Sequence, residues 1–233
     1  FPKKPNGQMV IVCPGGGYSI VSSYNEGLYV AEWMLERGIT VAVVKYRLPN
    51  YNHKVPYTDV ANTFRYCRAN AEKWGVEKIG VIGFSAGGHL AATASTLWTD
   101  EVTRPDFSIL IYPVITLTPG TTHHGTHKNL LGENNMMKEK YMDRYSLDKQ
   151  VCRFTPPTFI ALSSDDATVP AENSLRYYNR LIDCEVPVEM HMWPTGGHGW
   201  GFSSEKVKGK GKDRFAYARD EFYNSLERWL KSL

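Results

Sequence analysis

The chain has 233 residues; at about 150 residues per domain that is one unit, 1–233, with a core large enough to hold without disulfide staples. Lys and Arg total 27 against 24 Asp and Glu, a balance too even for a protein that must neutralise many phosphates, so no nucleic-acid partner is expected. Hydrophobic residues make up 42% with Tyr counted, or about 45% with Gly in place of Tyr, an ordinary globular share that excludes disorder; the longest apolar runs, 41–44 and 81–84, fall far short of the roughly 18 residues of a membrane span, so no membrane partner is expected either.

In chain order, residues 9–13 are apolar and β-branched and stop at Pro14-Gly15-Gly16-Gly17, which predicts a buried strand and an abrupt loop. Over 25–37 the apolar positions Leu28, Val30, Ala31, Trp33, Met34 and Leu35 recur at helical spacing, and Gly38 stands where a C-cap glycine belongs. The alternation continues with a strand at 40–45, a helix at 57–73, a strand at 78–83, a helix at 86–98 and a strand at 107–112. After a gap come a strand at 158–162, a helix at 171–182, a strand at 186–192 and an amphipathic closing helix at 214–233 with Phe215, Phe222, Leu226, Trp229 and Leu230 inward. This rhythm predicts an α/β fold: a mostly parallel sheet of about six strands, flanked by helices on both faces.

Residues 114–154 break the rhythm. They hold no predicted strand, are crowded with Thr, His, Gly, Asn and Met, and carry one helical patch at 136–145; they read as an insertion over the C-terminal edge of the sheet, where open α/β sheets bind ligands. The run from Lys206 to Lys212 (KVKGKGK) is the one low-complexity piece, expected as an exposed loop, with a basic docking site as the alternative. Cys13, Cys67, Cys152 and Cys184 form no CxxC, so neither zinc nor a redox pair is indicated, though Cys152 and Cys184 could bridge. The first twenty residues show no charged-then-apolar leader, so the chain reads as a mature or trimmed product, with its true start and any export signal out of sight.

Gly83-Phe84-Ser85-Ala86-Gly87 matches G-x-S-x-G and sits between a predicted strand and a predicted helix, as a nucleophile elbow requires. The helix N-terminus behind Ser85 favours the negative charge that a nucleophilic attack develops. The alternative is a Gly-rich turn with Ser85 as an N-cap. A serine hydroxyl needs a base, and the base an orienting carboxylate. His198, among the glycines of Gly196-Gly197-His198-Gly199-Trp200-Gly201, is the candidate base; otherwise it is a loop histidine without a role. Asp165 and Asp166, just past the strand at 158–162, are the candidate acids. Counting back from Val169-Pro170 favours Asp166, which leaves Asp165 to cap or hold the loop. For the oxyanion hole, the amides of Gly16 and Gly17 join that of Ala86, since glycine lets an N–H turn inward without a Cβ in the way.

Four motifs in order, PGGGY at 14–18, GFSAGGHLAA at 83–92, DDATVP at 165–170 and GGHGWG at 196–201, resemble the α/β-hydrolase serine esterases of the acetyl xylan, carbohydrate and feruloyl esterase type. They are similar also to the catalytic domains of prolyl oligopeptidase-like enzymes. The resemblance implies Ser85 as nucleophile, His198 as base, Asp166 or Asp165 as acid, and Gly16, Gly17 and Ala86 as oxyanion donors, with no cofactor. Pro14 stands where many lipase-like relatives carry His, and the first strands usual in such sheets are reduced to residues 1–8.

The His123-His124-x-x-His127 cluster lacks nearby acidic ligands, so no metal is expected; His123 is read instead as overhanging the pocket and touching substrate, with Tyr18 and Trp200 as aromatic walls or, as the alternative, as ordinary packing residues. His89 is read as a packed helix histidine. The favoured expectation is deacetylation of xylan or its oligosaccharides through an acyl-enzyme. Feruloyl ester or peptide hydrolysis and a non-catalytic binding module are the alternatives. A polymeric substrate would favour a secreted or periplasmic enzyme, and oligosaccharides would permit a cytoplasmic one.

Overall fold

The computed structural model describes residues 1–203 and 213–233, so the basic run 206–212 lies outside the described residues. Six strands, β1 (Gln8–Cys13), β2 (Thr40–Val43), β3 (Lys78–Phe84), β4 (Ser108–Ile111), β5 (Thr158–Ser163) and β6 (Val188–Trp193), pair in parallel in the order β2-β1-β3-β4-β5-β6. The chain starts one strand in from the edge, winds out to β2, crosses back to β3 and then steps in one direction to β6. Every strand therefore ends at the same edge of the sheet.

Burial follows strand position. The inner strands β1, β3, β4 and β5 are buried along nearly their whole length, whereas the edge strands β2 and β6 are mostly half-exposed. A strand covered by helices on both sides has no wet face, which is why the inner strands read as continuous apolar runs rather than alternating ones. The helices are α1 (Tyr29–Glu36), α2 (Lys54–Trp74), α3 (Ser85–Thr96), α4 (His124–Leu131), α5 (Glu133–Met136), α6 (Glu139–Tyr145), α7 (Glu172–Asp183) and α8 (Arg219–Ser232). The closing helix begins at Arg219 after a short 3-10 turn, Ala216–Ala218, and the five residues expected inward are all buried.

α3 differs from the rest because it is buried from Ser85 to Ser95. Its glycines are poor helix formers and its alanines good ones, and both are small enough to let it lie against the sheet; its hydroxyls are satisfied internally, with Thr93, Ser95 and Thr96 donating to the carbonyls of His89, Ala91 and Ala92.

Two expectations need correction. The helix expected over 25–37 opens as a π-helical turn, Tyr24–Leu28, before α1. All four cysteines are free: the Cys184 thiol lies 3.5 Å from the Val151 carbonyl while Cys152 is exposed. In 114–154, α4 is an element that composition alone did not reveal, since His123 caps it by accepting from the Thr126 N–H.

Close backbone packing at Gly80 makes a test of the core. A Cβ there would lie 2.2 Å from the Phe107 ring, whereas at Gly75, the left-handed cap of α2, it would meet nothing within 4 Å. In urea unfolding, Gly80→Ala is expected to cost about 1–3 kcal/mol through overpacking, and Gly75→Ala about 1 kcal/mol through backbone strain alone.

Candidate active site

β3 runs directly into α3. Phe84 is extended, and Ser85 adopts φ 54°, a left-handed conformation that strains any residue with a Cβ. The strain lifts the Ser85 side chain off the sheet edge, and glycines on three sides make room for the turn. A Cβ on Gly83 would lie 2.1 Å from the Gly87 carbonyl oxygen, one on Gly87 2.1 Å from that of Cys13, and one on Gly15 3.0 Å from the Ser85 Cβ. The pairing of Cys13 with Gly83 brings the β1 loop and the β3 turn together.

His198 reaches this point from the loop after β6. Its Nε2 lies 2.8 Å from Ser85 Oγ, and its Nδ1 2.6 Å from Asp166 Oδ2. The Asp166 side chain is 1% exposed, and its second oxygen accepts the Thr168 and Val169 N–H groups at 2.8 and 2.9 Å. An acceptor-only carboxylate beside Nδ1 places the ring proton there, which leaves Nε2 to accept the serine proton. The neighbouring Asp165 faces away from the ring: it accepts the Gly197 N–H at 2.8 Å and pairs with Arg214. Of the two aspartates, the structure thus brings only Asp166 to the imidazole.

The glycine loop divides its amides. Gly15 donates to Glu26 Oε2 at 2.8 Å. Among the described residues, the amides of Gly16 (φ 123°) and Gly17 (φ 62°) meet no acceptor. The Ala86 amide lies in the first turn of α3, where no helical carbonyl is available to it. The loop is held from the side of the 114–154 segment as well, since the Asn129 side chain on α4 donates to the Gly17 carbonyl at 2.8 Å.

Of the residues expected to contact substrate, His123 lies here. Its ring comes within 3.7 Å of the space beside Gly17, and its Nδ1 is engaged by Thr126. Tyr18 and Trp200, by contrast, are drawn into the packing. Tyr18 is 3% exposed with its hydroxyl on His89, and Trp200 is 8% exposed and stacked on Phe215. Among the described residues no group of three or more His, Cys, Asp or Glu stands where it could hold a metal.

Glu26, Tyr112, Asn25 and Asn129 escaped the sequence. Glu26 is 4% exposed, and besides the Gly15 amide it accepts the Tyr112 O–H at 2.8 Å; Tyr112 in turn accepts the Gly201 N–H at 2.9 Å. Burial pushes the Glu26 carboxyl above its usual range, against the pull of the Tyr112 and Gly15 hydrogen bonds. An acidic residue at the start of a helical pattern reads as an ordinary first-turn charge, and no spacing betrays its partners.

A hydroxyl, an imidazole and a carboxylate in line, next to unengaged amides at a strained turn, can deprotonate the hydroxyl as it attacks a carbonyl and stabilise the oxyanion that results. Residues 10–202 match the family described as alpha/beta hydrolase fold. The chain is similar to the acetylxylan esterase of Xylanibacter ruminicola, 36% identical over 237 residues, covering 100% of this chain and 47% of that protein. It is also similar to endo-1,4-beta-xylanase B of Butyrivibrio fibrisolvens, 35% identical over 206 residues, covering 82% of this chain and 32% of that protein. The chain thus spans about half or less of the length of these relatives. Among solved structures, the acetyl ester-xyloside bifunctional hydrolase of Caldicellulosiruptor lactoaceticus superposes with a TM-score of 0.87 at 36% identity, covering 100% of this chain and 85% of that one.

One histidine near the site yields a pH prediction. His89 is buried between the Tyr18 hydroxyl and the Tyr145 carbonyl, and burial pushes its pKa down to about 4 from 6.5. Between these values the unfolded chain binds the extra proton and the folded chain does not. The stability that depends on neutral His89 is therefore complete above about pH 6.5 and is lost as the pH falls toward about 4. Urea midpoints measured from pH 7 to 4 are expected to decline, and His89→Gln to decline less steeply.

Proposed function

This chain belongs to the alpha/beta hydrolase family, and from that premise we propose that it is a metal-independent serine carboxylesterase that removes short acyl groups, acetyl foremost, from xylan-type carbohydrate. The observation that carries the reading is the unbroken contact from Ser85 Oγ through His198 to Asp166, at 2.8 and 2.6 Å.

Ser85 attacks the ester carbonyl while His198 Nε2 takes its proton, and Asp166 holds the ring and stabilises the imidazolium. The carbonyl oxygen becomes an oxyanion against the amides of Gly16, Gly17 and Ala86, each worth on the order of 10²- to 10³-fold in rate. His198 then gives the proton to the sugar oxygen as its bond to the acyl carbon breaks, so that the sugar leaves as a free hydroxyl. Water repeats the sequence on the acyl-enzyme, releasing the carboxylic acid and restoring Ser85. Because Nδ1 of His123 is occupied by Thr126, its Nε2–H is left to donate to a sugar oxygen above the site.

Acetyl is favoured over other acyl groups because the relatives with the higher identities carry names of acetylxylan, acetyl ester-xyloside and xylan activity. The substrate class follows from that likeness; the chemistry follows from the residues.

Acetate release from acetylated xylo-oligosaccharides, and hydrolysis of 4-nitrophenyl acetate, test both parts. Both activities are expected to persist with a chelator present. Ser85→Ala should lower them by at least about 10³-fold, and Asp166→Asn by about 10³- to 10⁴-fold. Asp165→Asn should cost no more than about tenfold, because it weakens only a partly exposed pair with Arg214 and keeps an oxygen able to accept the Gly197 N–H. Hydrolysis by Ser85→Ala near the unaltered rate would remove the reading. Activity on 4-nitrophenyl acetate without acetate release from the oligosaccharide would remove the substrate and keep the chemistry.

A further inference from the structure

The proton path leaves one buried carboxyl without a part. Glu26 lies on no route from Ser85 to Asp166, yet it joins the two loops that frame the site. Its Oε2 holds the Gly15 amide of the glycine loop at 2.8 Å, and its Oε1 takes the Tyr112 proton at 2.8 Å. Tyr112, at the end of β4, accepts the Gly201 N–H of the histidine loop at 2.9 Å, and its ring lies 4.8 Å from that of His198, centroid to centroid. The preceding residue reinforces the link: Asn25 accepts the Phe202 N–H at 2.8 Å and donates to the Gly199 carbonyl at 3.0 Å. The π-helical turn Tyr24–Leu28 lets these two consecutive residues serve opposite loops.

A neutral acceptor could satisfy the Gly15 amide without the cost of burying a charge. A carboxylate in this place therefore calls for a partner of opposite sign. Two groups touch it, the Gly15 amide from the β1 loop and the Tyr112 hydroxyl at the end of β4; His198 from the β6 loop and Tyr46 beyond β2 interact with its charge through space, as Arg219 does with Tyr112. Of these, His198 alone gains a positive charge during the reaction.

We propose that Glu26 is a positioning residue of the hydrolytic site. It turns the Gly15 amide away so that those of Gly16 and Gly17 face the reacting oxygen, and it sets a second negative charge behind His198 that stabilises the imidazolium when the ring takes the Ser85 proton. The rate effects rest on the esterase reading; the charge effect on His198 does not.

Glu26→Gln keeps the shape and removes the charge. Two readouts are compared with the unaltered chain: hydrolysis of 4-nitrophenyl acetate against pH, and titration of the His198 ring by NMR of histidine-labelled protein, assigned with His198→Asn. In Glu26→Gln, kcat is expected to fall about tenfold or more with KM within about twofold. The acid limb of the rate and the His198 midpoint should move together to lower pH by about half a unit or more. Glu26→Asp should recover part of the shift. Tyr112→Phe, which cuts the link but leaves the carboxylate, should lower kcat while leaving the midpoint nearly in place. An unmoved His198 midpoint in folded Glu26→Gln, with kcat intact, overturns the proposal even if the variant melts earlier, because Glu26 would then be structural only. A shifted midpoint in a protein whose Ser85 proves inert would overturn the esterase reading and uphold the coupling.

Discussion

Where β3 turns into α3, three pieces of backbone approach more closely than any side chain would permit, and the site exists because they do. Gly83 faces the Gly87 carbonyl, Gly87 faces the carbonyls of Cys13 and Pro14, and Gly15 faces Ser85. Adding a methyl group at any of these points would drive the helix from the strand or the glycine loop from the serine. The parallel register of β1 with β3 sets the loop's height beside the turn, and the left-handed Ser85 then projects its hydroxyl into the space that the loop borders. A strained residue of this kind persists only where its surroundings over-determine it; here the buried helix α3 and the inner strands supply that support.

The remaining groups arrive from the same edge of the sheet. β1 delivers the glycine loop, β3 the serine, β4 Tyr112, β5 Asp166 and β6 the histidine loop. In an all-parallel sheet every strand points its C-terminal end the same way, so five successive loops converge on one rim without any long excursion of chain. The 114–154 segment closes the rim from one side, with Asn129 tied to Gly17 and His123 set close to it.

Charge is handled differently at three carboxylates near this rim. Asp166 is buried and has its acceptor positions filled by the imidazole and two amides. Asp165, next in sequence, is spent on Arg214 and the Gly197 amide and helps hold the loop rather than the ring. Glu26 is buried on the far side of Tyr112, with amide and hydroxyl protons directed at it. A buried ionised group is tolerable when donors surround it, and in a medium of low polarisability its field reaches further than it would in water.

Much of this was legible in the chain itself, because it depends on local rules. Apolar runs without alternation marked the inner strands, G-x-S-x-G between a strand and a helix marked Ser85, and the glycines around position 198 marked a histidine free of its own neighbours. The closing helix was readable from its stripe of Phe222, Leu226, Trp229 and Leu230, although its first turn was not, since helix ends answer to caps and packing more than to periodicity. What the sequence left open is what depends on distance across the fold. Adjacent aspartates have the same chemistry, and only the path of the β5 loop turns one toward His198 and the other toward Arg214. Tyr18 and Trp200 look like pocket walls beside their motifs, yet burial against His89 and Phe215 is the better use of large rings. Glu26 carries no signature at all, because its partners lie 11 and 86 positions away. Local pattern decides which elements form and which side chains are chemically able; the tertiary structure decides which of the able ones meet, because hydrogen bonds and charges act over a few ångströms of space regardless of separation along the chain.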